Sequence, residues 1–257
     1  MTLLNNWFGV MIGNSRLHWA WFKDDTVVET WDTPHLSSLV EPEQLPEAFL
    51  AQSYIRQGLT PIPVYLASVV PGQSKLWQNY QQLYLISLQD IQLKNIYPTL
   101  GLDRALAVWG AVATYKRACL VIDGGTALTF TGVDELEQLQ GGAILPGLNS
   151  QLLTLDQKGA QLPTINLPKT LPPRWGLNTQ DAIASGIIYT AIAGIISYII
   201  DWQRQFPNSQ IILTGGDAQL LSLYLKLQSP LIARSILVEQ NLIFWGIKKI
   251  YQNRIVI

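Results

Sequence analysis

The chain has 257 residues, 48% of them hydrophobic and 14% charged, with a formal net charge of -1. That is enough apolar chain for a sizeable core, and it leaves no basic excess to point toward nucleic acid or an anionic membrane. Cys119 is the single cysteine, which excludes an intrachain disulfide and fits a reducing, cytoplasmic setting.

The opening MTLLNNWFGV has neither a basic region nor a long apolar run, so no secretory leader is expected. Residues 10–22, VMIGNSRLHWAWF, run apolar, break at Gly13-Asn14-Ser15 and restart with aromatics. This reads as a strand, a tight turn and a second strand, with backbone N–H groups and short polar side chains placed to face a ligand. Met11 stands where a phosphate-handling turn would more often carry a carboxylate. A turn follows at Phe22-Lys23-Asp24-Asp25, with a restart at Thr26. The spacing predicts a helix over 41–58, a short strand over 61–70 and a helix over 74–84. Tyr97 precedes Pro98 and is expected to be extended. Residues 103–116 read as a helix rich in Ala, Leu and Val. Strands are expected over 119–133, a Gly/Pro loop at 141–147, and a crossing loop with four prolines at 161–178.

Residues 182–200 carry no charge over 19 positions, which touches the length of a membrane span. Polar and small residues interrupt the run, no Lys or Arg cluster flanks it, and Ala182, Gly186, Thr190 and Gly194 recur at every fourth position. A buried or interface helix is the better reading. A strand over 211–214, ending in Gly215-Gly216, and a final helix near 240–252 complete the chain. The alternation of strands and helices points to an α/β protein. Residues 10–25 and 122–136 also resemble each other. Each has an apolar strand end, then glycine with a small polar residue, then a second strand and an acidic turn. Gly13 aligns with Gly125, and Met11 with Asp123, which suggests two related domains, 1–116 and 117–257.

Three stretches could carry chemistry. In VIDGGTALTF, Asp123 ends an apolar run, and a buried carboxylate is costly unless it is paired or bound to a cation. Gly124, Gly125 and Thr126 suit a hairpin that presents amides to phosphate beside a carboxylate for its metal; a ligandless Asp-Gly-Gly hairpin is the alternative. In YPTLGLDR (97–104), Asp103 is either a helix cap or a general base for a substrate hydroxyl, and Arg104 either a solvated residue or an anion grip. Thr214-Gly215-Gly216-Asp217 places a glycine turn at a strand's carboxyl end, where α/β sheets bind ligands, though an ordinary connection looks the same. P-loop, dinucleotide and zinc signatures are missing. His18 and His35 read as structural.

Taken together, GNS at 13–15, Y-P-x-x-G-x-D-R at 97–104, D-G-G-T-A at 123–127, GGAILPGL at 141–148, NT at 178–179 and TGGDA at 214–218 resemble the type III pantothenate kinases, also described as Bvg accessory factor proteins, of the acetate and sugar kinase, chaperone ATPase and actin superfamily. The resemblance implies two RNase H-like (actin-like ATPase) domains with a nucleotide cleft between them, a homodimer, and ATP-dependent phosphorylation of pantothenate at its 4′-hydroxyl, the first committed step toward coenzyme A. It implies Asp103 as the general base, and Tyr97, Gly101, Leu102, Asp103, Arg104 and Thr179 as the pantothenate site. Met11, Ile12, Gly13, Asn14, Ser15, Arg16, Leu17, His18 and Thr126 match ATP-binding positions, and Asp123 matches the ligand of a monovalent cation, K+ or NH4+, with Mg2+ on the phosphates. Met11 departs from the family's Asp-x-Gly-Asn-[Thr/Ser], and a thioether cannot replace a carboxylate on a hard cation. A non-catalytic nucleotide- or pantothenate-binding relative is the alternative that this departure leaves open.

Overall fold

The computed structural model of the chain describes residues 6–46, 50, 62–158, 163 and 165–255. Most of the helix expected over 41–58 lies outside them, and the described residues 41–46 are not helical. Two compact units emerge. Unit 1 takes in Met1–Gln92, Ile96–Ala113 and Ile243–Ile257; unit 2 takes in Leu93–Asn95 and Thr114–Leu242.

Unit 1 holds strands β1 (Asn6–Ile12), β2 (Leu17–Lys23), β3 (Thr26–Thr33), β4 (Val64–Ser68) and β5 (Leu83–Leu85), in the order β3-β2-β1-β4-β5. Unit 2 holds β6 (Cys119–Gly124), β7 (Ala127–Val133), β8 (Leu139–Pro146), β9 (Gln210–Thr214) and β10 (Ile236–Val238), in the order β10-β9-β6-β7-β8. In each sheet the first three strands form an antiparallel meander and the next two add in parallel to the first. The two topologies are the same, so the short resemblance between the hairpins at 10–25 and 122–136 reflects a whole repeated architecture.

The helices among the described residues are α1 (Pro71–Ser74), α2 (Leu102–Tyr115), α3 (Leu148–Lys158), α4 (Thr179–Gln205), α5 (Ala218–Gln228), α6 (Pro230–Ala233) and α7 (Leu242–Ile255). In unit 1, Phe8, Val10, Ile12, Leu17, Trp19 and Trp21 alternate onto one sheet face and pack with Trp77 and Tyr80. The opposite face receives α7: Trp7 stacks on Tyr251 at 4.2 Å, and a Cβ on Gly9 would meet Ile247 at 3.3 Å. Gly246 lies so close to the Leu106 carbonyl that a Cβ there has no room, which lets α7 seat against α2. Alanine- and leucine-rich α2 matches the helix expected at 103–116, and it ends where Lys116 turns to φ +53.

The helix expected over 74–84 is replaced by α1, a 3-10 turn at Lys75–Trp77 and β5. Tertiary packing overrides local propensity there. Trp77 is fully buried, and the buried Tyr80 hydroxyl donates to the Ile62 carbonyl at 2.7 Å. The Gly/Pro loop expected at 141–147 is instead strand β8, which pairs with β7 through an irregularity at Gly132/Val133, with Gly141 at φ +111. In unit 2, α4 buries Ile187, Ile188, Ala191, Ile192, Ile195 and Ile199 in the same core as Leu120, Ile122, Phe130, Ile211 and Leu213. Among the described residues α4 is the one helix long and apolar enough to cross a membrane, and 44% of its most apolar window is buried inside the protein. That burial gives its apolar side a partner in the sheet.

Candidate active site

In unit 1 the first hairpin ends in the turn over residues 13–16, closed by Gly13 N–H donating to the Arg16 carbonyl at 3.0 Å. Asn14, Ser15 and Arg16 are exposed, whereas Met11, Ile12 and Leu17 are buried. The three buried residues offer a ligand only their backbone. Met11 pairs with His18 across the hairpin and with Ala67 on β4. His35 Nε2 lies 2.9 Å from the Gly13 carbonyl, so the turn is held from outside the hairpin as well.

The second group opens α2. Asp103 lies within the first helical turn and accepts the Arg104 backbone N–H at 2.8 Å. A Cβ on Gly101 would come within 2.6 Å of Asp103 Oδ1, so glycine there leaves space for the carboxylate. Arg104 is buried, contrary to the solvated reading, and its Nη1 donates to the Tyr97 hydroxyl at 3.2 Å. A guanidinium taken out of water needs such partners, and Tyr97, 38% exposed, joins it to the surface.

In unit 2 three glycine turns meet. Asp123, half-buried on β6, has Thr129 on β7 and Thr214 on β9 as cross-strand partners, both buried. Gly125 N–H donates to the Ala127 carbonyl at 2.9 Å, and Gly147 N–H to the Thr126 carbonyl at 2.9 Å; Ser150 Oγ donates to the same carbonyl at 2.6 Å. Gly147 lies against the Gly125 carbonyl, and Gly215, at φ +87, lies against Asp123 Oδ1 and the Gly124 carbonyl, each with no room for a side chain. Asp217 N–H donates to the Gly124 carbonyl at 2.8 Å. Burial pushes the Asp217 carboxyl above the ordinary carboxylate range. The arrangement gives a nest of closely approached backbone beside a carboxylate, which suits phosphate with its counter-cation. Among the described residues no cluster of three or more His, Cys, Asp or Glu side chains could hold a metal ion.

Thr179, the first residue of α4, is exposed. The adjoining Asn178 caps the helix by accepting the Asp181 N–H at 2.9 Å.

The sequence profile described as type III pantothenate kinase matches residues 9–201. A protein named type III pantothenate kinase from Nostoc sp. is 45% identical over 96% of this chain and 94% of its own length, and one from Synechocystis sp. is 43% identical over 95% and 90%. The chain belongs to the type III pantothenate kinase family. Among solved structures, a conserved Baf family protein from Campylobacter jejuni aligns with a TM-score of 0.64 at 20% identity, covering 97% of this chain and 100% of that one. The activator of 2-hydroxyisocaproyl-CoA dehydratase from Clostridium difficile, with bound ADPNP, aligns at 0.51 and 11% identity, covering 98% of each chain. These likenesses show the fold alone, an α/β chain of two units with the same sheet order.

Several contacts at the site escaped the sequence. Gly147 and Ser150 hold the 125–127 turn, and only the GGAILPGL spacing marked that region. Thr214-Gly215-Gly216 reads alone as an ordinary connection, yet it packs against Asp123. His35 had no local pattern to give it away.

Proposed function

We propose that the chain transfers the terminal phosphoryl group of ATP to the 4′-hydroxyl of pantothenate, the step that opens coenzyme A synthesis, and that it does so in the cytoplasm as a homodimer. The observation that carries this reading is the meeting of three glycine turns at the Asp123–Thr126 hairpin, because a polyphosphate needs many amides and one cation-holding carboxylate in a small space.

In this reading the amides of the 124–126 turn in unit 2 hold phosphate oxygens, with the Thr126 hydroxyl beside them, and the 13–16 turn in unit 1 offers phosphate-binding amides of its own. Asp103 takes the hydroxyl proton as the oxygen attacks phosphorus and ADP leaves. Arg104, fixed by Tyr97, holds the pantothenate carboxylate. Asp123 would hold a monovalent cation, and Mg2+ bound with ATP would neutralise charge developing in transfer. Support for a second copy comes from the start of α4, where Trp175 is 85% and Leu177 99% exposed beside Thr179. Gly186 and Gly194 also have open space over them, which suits close approach of another helix. Phosphopantothenate formation with ATP, Mg2+ and K+ tests the reading; a folded sample giving no product, or a mass of one chain in solution, would refute the corresponding part.

A further inference from the structure

The strand beside the first hairpin contains a carboxylate that the proposed reaction leaves unused. Asp32 on β3 pairs with His18 on β2, and His18 pairs with Met11 on β1. Residues directly opposed across strands share a face, so Asp32, His18 and Met11 form one row ending at the 13–16 turn. The register is pinned from the other face: Trp19 Nε1 donates to Thr33 Oγ1 at 2.8 Å, and Trp19 stacks on Trp31 at 5.8 Å. A one-residue slip would turn Asp32 into the core.

Each oxygen of Asp32 holds a different cationic or ionisable partner. Oδ2 accepts from Arg16 Nη1 at 2.9 Å, and Oδ1 meets His18 Nδ1 at 2.7 Å. With Nδ1 turned to the carboxylate, the ring's other nitrogen is the one left to act on a ligand. That nitrogen, Nε2, lies beside the turn: a Cβ built on Gly13 would meet it at 3.6 Å. The Arg16 fork keeps its remaining N–H donors, and its side chain is 54% exposed. One carboxylate thus fixes a guanidinium and an imidazole at the edge of the same backbone turn.

We infer that Asp32 is a positioning residue for the phosphate tail of the nucleotide, holding Arg16 and His18 in place beside the 13–16 turn. This rests on the nucleotide reading of that turn given above. An exposed pair of this kind adds little to folding stability. Its effect falls on binding, because an arginine already held in place loses less freedom when it grips a phosphate.

The sign of the effect separates positioning from plain charge. By charge alone, removing a carboxylate near a phosphate would tighten binding of the anion. Positioning requires the opposite. Titration calorimetry on the full chain with a non-hydrolysable ATP analogue and with AMP reads the difference, using Asp32→Ala and Asp32→Glu. For Asp32→Ala, analogue affinity is expected to fall about tenfold, AMP affinity to hold, and the melting temperature to stay near the wild-type value; Asp32→Glu should recover part of the loss. In an Arg16→Ala, His18→Ala background Asp32→Ala should cost nothing further. Unchanged or tighter analogue binding in Asp32→Ala, with the wild type binding normally, overturns the inference, as does an equal loss for AMP. Failure of the wild type to bind the analogue overturns the nucleotide reading and this inference with it.

Discussion

Gly215 and Gly216 are neighbours with opposite tolerance for a side chain. Gly215 sits at φ +87, and a Cβ there would lie 2.5 Å from the Gly124 carbonyl oxygen and closer still to Asp123 Oδ1. Gly216 has nothing within 4 Å and no positive φ. An L-residue in the left-handed region costs about 1–2 kcal/mol. Non-bonded atoms attract at about 3.5 Å, so the neighbours must also give by roughly 1 Å, and overpacking of that kind costs about 1–3 kcal/mol. Gly215→Ala is therefore expected to lose about 2–5 kcal/mol in all. Gly141→Ala separates the two contributions, since Gly141 has φ +111 and open space around it, and it should lose only the backbone part, about 1–2 kcal/mol. Gly216→Ala should stay within about 0.5 kcal/mol of wild type.

Denaturant unfolding of the three variants gives the stabilities, and a coupled ADP-release assay gives turnover. Misplacing a functional group by about 1 Å can cost roughly 10²-fold in rate, so Gly215→Ala should lose about that much kcat through displacement of Asp123, while Gly141→Ala keeps near-normal kcat. A Gly215→Ala protein with the stability and turnover of Gly216→Ala would refute both the crowding and the role given to Asp123.

Asp103→Asn is expected to lower kcat by about 10²–10⁴ while leaving the fold intact by circular dichroism. Met11→Asp would place a carboxylate at a position 1% exposed between strands, and it should lower the melting temperature without raising kcat more than about threefold; a large gain in turnover would contradict the reading of an intact site. Burial raises the Asp217 carboxyl, so its ionised form is disfavoured in the fold, and stability is lost as pH climbs from the unfolded pKa toward the folded one. Asp217→Asn should therefore gain melting temperature over wild type at pH 7, and the gain should shrink toward pH 3.5. Burial likewise pushes the Cys119 thiol up to about 12, Arg117 opposing more weakly. Native protein should be inert to a thiol reagent at pH 8 and react on unfolding. Stability should fall above about pH 9, where the unfolded thiol ionises first, and Cys119→Ala should remove that part of the decline.

Long periodic segments and strand-turn-strand units were legible in the sequence, because α2, α4, β1, β2, β6, β7 and β9 follow local pattern. The Asp123 and Asp103 motifs could be read as well, since glycine beside a carboxylate at a strand or helix end has a local physical reason. Residues 74–84 could not be read, because Trp77 and Tyr80 answer to a core that no window of sequence contains. The role of Gly147 was hidden in the same way. Its constraint is the Gly125 carbonyl, supplied by the turn of another strand pair. Arg104 could be read as solvated or as an anion grip from its helical position, and its burial with the Tyr97 hydroxyl as a partner depends on tertiary packing.

The last helix completes the first sheet. Trp7 and Gly9 on β1 are covered by Tyr251 and Ile247 of α7, more than two hundred residues downstream. Ribosomes deliver chains from the amino end at about 5–20 residues per second, so the opening strands wait many seconds with one apolar face bare, while unit 2 has all its strands in hand before synthesis stops. The half made first is the half that closes last, and shearing off the final dozen residues should spoil the beginning of the protein rather than its end.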